Sequence, residues 1–174
     1  MTALDLQPRD RIVAGSSRIT EPAADKLARL ARDYDGRSFL EAIRTGELPP
    51  APIADLLGFT ISEVGHGRVT VELEPQAKHY NPIGMVHGGV TATLLDTVMG
   101  CALHSTLPQG VGYSTVDISV RYLRPITVRT GAVVAVGTVV HQGRRTATAE
   151  ARLMDKSMGQ LLATATSTLL LVRP

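Results

Sequence analysis

The amino-acid sequence predicts an α+β domain in which an antiparallel sheet of five or six strands wraps around one long helix. Three observations carry that expectation. The segment from Val90 to Leu103 is apolar nearly all round, as a helix at the centre of a core must be. Most of the chain after it, and a stretch before it, changes to an apolar period of two. Short turns join these runs, which favours antiparallel neighbours, because parallel strands need long crossovers.

Up to about Thr20 the chain is polar and unpatterned, and disorder is expected there. From Glu21 to Tyr34, the residues Leu27, Leu30, Ala31 and Tyr34 recur at helical spacing. A second helix is expected over Ser38 to Thr45, with Ser38 and Glu41 as a capping box and Gly46 as the stop. The stretch ELPPAPI reads as an extended connector, since each proline lacks a donor and disfavours helix before it. Residues 1–52 therefore form a partly helical N-terminal extension, and residues 53–174 the domain proper.

After Ala54 the period becomes two. Val69, Val71 and Leu73 alternate with Thr70, Glu72 and Glu74. Beyond the central helix, Val116, Ile118, Val120 and Tyr122 alternate with Asp117, Ser119 and Arg121. Further strands are expected at Ala132 to His141, Thr146 to Met154 and Leu161 to Val172, with HQGRR as a hairpin turn. Ala147, Ala149, Ala151, Ala163 and Ala165 are small inward positions that would let a helix approach closely. The run from Ala132 to Val140 is apolar on both faces, so a second subunit is expected to cover one of them.

Composition narrows the function. At 174 residues the chain suits one domain with a sizeable core. A net charge of +2, with no block of like sign, argues against nucleic acid or an anionic membrane surface as partner. Cys101 is the only cysteine, which excludes a disulfide scaffold. The start has no apolar signal core, and no apolar run reaches the ~18 residues of a membrane span, so a cytoplasmic protein is expected. His66, His104 and His141 lack metal-ligand spacing, and no cofactor is expected.

The chemistry concentrates in HYNPIGMVHGGVTATLLDTVMGCA, from His79 to Ala102. His87-Gly88-Gly89 bares the backbone at the start of the central helix, where free N–H groups favour an anionic oxygen. A thioester carbonyl on its way to an oxyanion suits such an end. Asp96 sits about two turns further on, too far to meet the same carbonyl within one chain, so two helices from two subunits are implied. Alone, Asp96 is equally compatible with a packing role through a neighbouring hydroxyl. His79 reads as structural and Cys101 as core. Arg121, Arg124, Arg144, Arg145 and Lys156 are candidate phosphate contacts.

The string H-x-N-P-x-G-x-x-H-G-G followed by L-L-D strongly resembles the hotdog-fold acyl-CoA thioesterases of the phenylacetic-acid-degradation type. The stretches VDISVRYLRPI and GRRTATAEARLMD are similar to that family as well, and the resemblance covers roughly Ile53 to Val172. It implies hydrolysis of an acyl-CoA to the free acid and coenzyme A, coenzyme A being part of the substrate. It implies that Asn81 positions substrate or water, that His87 shapes the loop, and that the Gly88 N–H polarises the carbonyl. Asp96 would be general base or nucleophile, and Ser114 would hold the attacking water with Thr115 as its neighbour. Gly89, Thr115, Arg144 and Arg145 would contact substrate, and the assembly would be a dimer or a dimer-of-dimers tetramer. Two alternatives stand beside this reading. A hotdog-fold hydroxyacyl thioester dehydratase would carry a His-Phe-Pro type loop, from which HYNPIGMVHGG departs. A non-catalytic acyl-CoA-binding regulator would need a DNA-binding element, and the first fifty residues lack a basic recognition face.

Overall fold

The computed structural model describes residues 27–173. The expected unpatterned stretch to Thr20, and the start of the Glu21–Tyr34 helix, lie outside them. Residues 27–30 are helical and run into a 3₁₀ turn at Ala31–Asp33. Helix α1 spans Gly36–Thr45 and stops at Gly46, whose φ of 80° is a conformation glycine adopts freely. Its start corrects the expected capping box. The cap is Asp35, whose carboxylate accepts the Arg37 and Ser38 N–H groups, each at 3.0 Å, and the Ser38 hydroxyl at 2.7 Å. Asp is the stronger cap here because it meets two of the orphan donors of the first turn, leaving Glu41 to pair with Arg44. The connector also ends sooner than expected, because Pro52 occupies the first turn of a short helix α2, Pro52–Leu57.

Six strands follow: β1 Phe59–Gly65, β2 Arg68–Leu73, β3 Gly112–Tyr122, β4 Val133–Gln142, β5 Thr146–Asp155 and β6 Leu161–Val172. They form one antiparallel sheet in the order β1-β2-β4-β5-β6-β3. The central helix α3, Gly88–His104, lies on its inner face and touches five of the six strands. Leu94, Leu95, Val98, Met99, Ala102 and Leu103 of α3 are fully buried. The expected alanine floor is present: Ala147, Ala149, Ala151, Ala163 and Ala165 are all buried beneath the helix. The fold is the α+β arrangement that the periodicity predicts.

One small residue on β4 matters most. A Cβ placed on Gly137 would lie 2.2 Å from the Val98 carbonyl oxygen and 2.4 Å from its carbon, inside the backbone of α3. Helix and sheet therefore touch main chain to main chain at this point. On the other face of β4, Val134 and Val136 are half-buried and Val140 is 60% exposed.

The extension seats on the domain through a second apolar cluster, with Leu27, Phe39, Leu40 and Leu48 packed against Val64 and Val69. The Gly36 N–H donates to the Leu107 carbonyl at 3.0 Å, and a Cβ on Gly36 would meet the His104 carbonyl oxygen. Helix α1 thus begins against the end of α3.

Strand β3 is an edge strand with an irregularity. Its pairing with β6 jumps from Thr115↔Leu169 to Asp117↔Thr168, leaving Val116 as an extra residue. Val116 is accordingly 62% exposed rather than inward as its place in the alternation predicts.

Gly137→Ala tests the close seat of the helix. Replacing a strand glycine by alanine ordinarily stabilises by roughly 0.5–1 kcal/mol. Here the new carbon collides with helix backbone, which has no side chain to swing away, so a loss of about 1–3 kcal/mol is expected. The thermal midpoint of Gly137→Ala should fall by several degrees; an unchanged or raised midpoint would mean that the helix rides higher on the sheet.

Candidate active site

The loop leading into α3 is held by Asn81. Its side-chain oxygen accepts the Ile83 N–H at 3.1 Å and the Met85 N–H at 3.3 Å, while its own N–H donates to the Met85 carbonyl at 2.8 Å. Asparagine closes a turn on itself readily in this way. His79 braces the loop from beneath. Its Nδ1 accepts the Gln76 N–H at 3.1 Å, and its carbonyl accepts the His87 N–H at 2.8 Å. The side chain is buried, as a structural residue's would be.

His87 is the N-cap of α3. Its Nδ1 accepts the Gly89 N–H at 2.8 Å, which leaves the ring proton on Nε2. The Gly89 N–H is therefore occupied. Gly88 is the first helical residue, so its N–H has no acceptor within the helix. Of the two glycine donors that the sequence offers, the geometry leaves Gly88 free.

Tyr122, which the sequence reading placed only as a strand residue, leans across this end. Its hydroxyl donates to the Gly88 carbonyl at 3.0 Å, and a Cβ on Gly88 would sit 3.3 Å from its ring. A cleft of about 430 Å³ opens beside Gly88, lined by Asn81, Thr91, Tyr122, Arg124, Ile126 and Leu162 among others. Arg124, one of the candidate phosphate contacts, fixes the cleft's rim by donating to the Leu161 carbonyl at 2.6 Å.

Asp96 is half-buried, not enclosed as its apolar surroundings in sequence suggest. Its carboxylate accepts the Thr115 hydroxyl at 2.9 Å. Thr115, rather than Ser114, is the hydroxyl on the helix side of β3. Thr115 pairs with the fully buried Leu169, whereas Ser114 pairs with the exposed Leu170 on the outer face. The bulge at Val116 is the reason. It reverses the parity of β3, so that Tyr113 and Thr115 before it and Val120 and Tyr122 after it all face the helix.

Within one chain these groups form two sites. Gly88 and Asp96 are eight residues apart on a straight helix, about 12 Å along its axis. Asn81, Gly88, Tyr122 and Arg124 share the cleft; Asp96 and Thr115 lie down the helix. Arg144 and Arg145 sit at the β4–β5 turn, beside the end of β6, whereas the cleft uses the start of β6. The single chain does not bring them to Gly88.

Burial pushes the Cys101 thiol up to about 12, with the Asp96 charge adding to it, so a thiolate nucleophile is disfavoured. Burial likewise lowers the His104 imidazole. Among the described residues no three His, Cys, Asp or Glu side chains gather as metal ligands do. No described helix is long and apolar enough to cross a membrane.

The family model described as the thioesterase superfamily matches residues 83–162, from the loop through β5 to the start of β6. Human acyl-coenzyme A thioesterase 13 is 34% identical over 104 residues, covering 60% of this chain and 73% of that protein. The chain belongs to the thioesterase superfamily. It is a thioester hydrolase of the hotdog fold, as its loop and helix motif suggest. A solved phenylacetic acid degradation-related protein of Ralstonia eutropha shares 28% identity, with a TM-score of 0.67 over 75% of this chain and 98% of its own. The PaaI protein of E. coli, at 20% identity, shares the fold, with a TM-score of 0.66 over 86% of this chain and 96% of its own.

The hydroxyl of Tyr122 gives this superfamily member a lever on the helix start. Tyr122→Phe removes one neutral hydrogen bond, worth roughly 0.5–1.5 kcal/mol, while keeping the ring over Gly88. The variant is expected to fold with a thermal midpoint slightly reduced and turnover down severalfold. Full turnover would show that the Tyr122 hydroxyl does not position the Gly88 peptide.

Proposed function

We propose that the protein hydrolyses acyl-coenzyme A thioesters at a site completed by two subunits. The observation that carries this reading is the unpartnered Gly88 N–H at a helix start, in a residue that lines a cleft, with a hydroxyl-bound carboxylate too far along the same helix to join it. An acyl-CoA thioester laid in the cleft gives its carbonyl oxygen to the Gly88 N–H, which strengthens as charge develops on that oxygen. Asn81 lines the same cleft, and its amide nitrogen, left over from the loop contacts, serves as the second donor in this reading. Asp96 of a second subunit then takes a proton from a water held between its carboxylate and Thr115. The water oxygen adds to the carbonyl carbon, the C–S bond breaks, and the coenzyme A thiolate leaves with the proton. Direct attack by Asp96, with an anhydride released by water, uses the same geometry.

Two features of the chain favour a second copy as partner. Strand β3 presents an open edge, and Val116 and Tyr122 are more than half exposed along it at 62% and 56%. A row of unpaired backbone groups with apolar side chains is a surface that another strand covers. A dimer, or a dimer of dimers, in the cytoplasm is the proposed form. Arg124 is the cation already at the cleft; Arg144 and Arg145 reach the coenzyme A phosphates only if the second subunit brings that end of its sheet over.

The reading is tested with a panel of acyl-CoA thioesters, following thiol release. Asp96→Asn keeps the shape and removes the base, so it should fold, assemble and lose ~10²–10⁴ of turnover. Asn81→Asp keeps the oxygen that closes the loop and removes the amide donor. Each variant alone has two defective sites per dimer, whereas a mixed dimer restores one intact site. Activity returning after subunit exchange is the expected result. A fully active Asp96→Asn would make the acid structural, and verified exchange without recovery would place both residues in one chain's site.

A further inference from the structure

Asp96 and Thr115 are one rung of a ladder between α3 and β3, and the next rung is Gly100 with Tyr113. Gly100 follows Asp96 by one helical turn, about 6 Å along the axis. Tyr113 precedes Thr115 by two residues on the same face of β3, paired with the buried Leu171 as Thr115 is with Leu169. The tyrosine ring fills the place that a side chain at Gly100 would take: a Cβ there would lie 2.5 Å from both the Tyr113 hydroxyl and its Cε2. A large aromatic ring is thus laid on bare helix backbone, one turn beyond the carboxylate.

From Asp96 the seam leads in two directions. Toward the helix start, Gly89 is exposed and Thr93 spends its hydroxyl on the Gly89 carbonyl, so that side is wet. Toward the helix end, Gly100 is buried, and the Tyr113 ring meets His104 at a centroid distance of 5.7 Å, which meets Phe39 at 5.6 Å. An apolar acyl group gains by leaving water, so it runs to the dry side, and the polar coenzyme A leaves by the wet one. Burial, with Cys101 and Asp96 beside it, raises the Tyr113 phenol well above its ordinary value, so the ring stays neutral at any pH of interest. Behind the ring lies a separate cleft of about 810 Å³, bounded by Leu27, Phe39, His104, Val111 and Tyr113 itself.

We propose that Tyr113, seated on Gly100, is the end wall of the acyl site and restricts the enzyme to short acyl groups, shutting off the cleft behind it. This rests on the acyl-CoA hydrolase reading. The rise from Asp96 to Gly100, about 6 Å along the helix, sets the scale of that interval, so the proposed limit is a short chain. Tyr113 is a specificity residue and takes no part in the bond-making step.

The test is kcat/KM for straight-chain acyl-CoA thioesters from short to long, for the wild type and two variants. The wild type should fall steeply once the chain outgrows the interval. Tyr113→Leu opens the way into the rear cleft and should raise the long-to-short ratio of kcat/KM by roughly tenfold or more, since single methylenes in such pockets are worth about 10–200-fold. Tyr113→Phe keeps the wall and should keep the wild-type profile with an unchanged melting midpoint. A folded Tyr113→Leu with the wild-type profile overturns the proposal. Should that variant not fold, the wild-type profile decides: undiminished activity on long chains removes the wall. If the wild type releases thiol from no acyl-CoA of any length, the hydrolase reading falls, and this inference with it.

Discussion

The contact on which the structure turns is the one between the main chain of the central helix and Gly137 in the middle of the sheet. With glycine there and alanines at Ala147, Ala149, Ala151, Ala163 and Ala165, the helix sinks to backbone contact instead of riding on a cushion of side chains. A helix so low is clasped by strands on both sides and cannot roll. Its fixed rotation sends the face of Leu94, Leu95, Val98 and Met99 into the core and leaves Asp96 on the side of β3. The site's geometry is therefore a by-product of packing: what one face buries decides what the other presents.

The start of the helix is fixed independently. His87 caps it and takes up the Gly89 donor, Asn81 closes the loop, and His79 ties the loop to the cap through one backbone bond. Each of these polar contacts satisfies a group that would otherwise be orphaned, and the Gly88 N–H is left without an acceptor in the helix, on the cleft that Asn81 also lines. An oxyanion site needs donors that are already aimed and have no competing partner, because reorganisation during the reaction would cost rate. On the proposed reading of Gly88, the loop supplies that condition by tying up the neighbouring Gly89 donor.

Much of this was legible in the sequence, and the rest was lost for identifiable reasons. The central helix, the alanine floor and the strand order of polar and apolar residues are periodic signals, and periodicity survives without coordinates. The cap at Asp35 was missed because Ser38 and Glu41 satisfy a capping pattern that a neighbouring acid outcompetes. Which of Ser114 and Thr115 faces the helix was hidden by the bulge: counting by twos back from Tyr122 arrives at Ser114, and the extra residue at Val116 hands the inner face to Thr115. A bulge adds one residue and no distinctive composition, so a single sequence does not announce it. The contacts of Tyr122 and Tyr113 with the helix were likewise not legible, since both rings lie against glycines on another element.

That bulge also joins two stretches of β3 that would otherwise be out of phase. One carries the hydroxyl of the carboxylate pair and the other the tyrosine over the helix start. Val116 itself lies on the open edge that a second copy is proposed to cover, so its side chain bears on assembly and not on the phase of the strand. Its presence is another matter. Loss or gain of one residue between Thr115 and Asp117 would turn one half of the strand over relative to the other, pointing either Thr115 or Tyr122 to solvent. Among descendants of this chain, the side chain at 116 answers to the partner surface alone whereas the length of the strand answers to both ends of the helix, so insertions and deletions there should be purged more strictly than apolar substitutions.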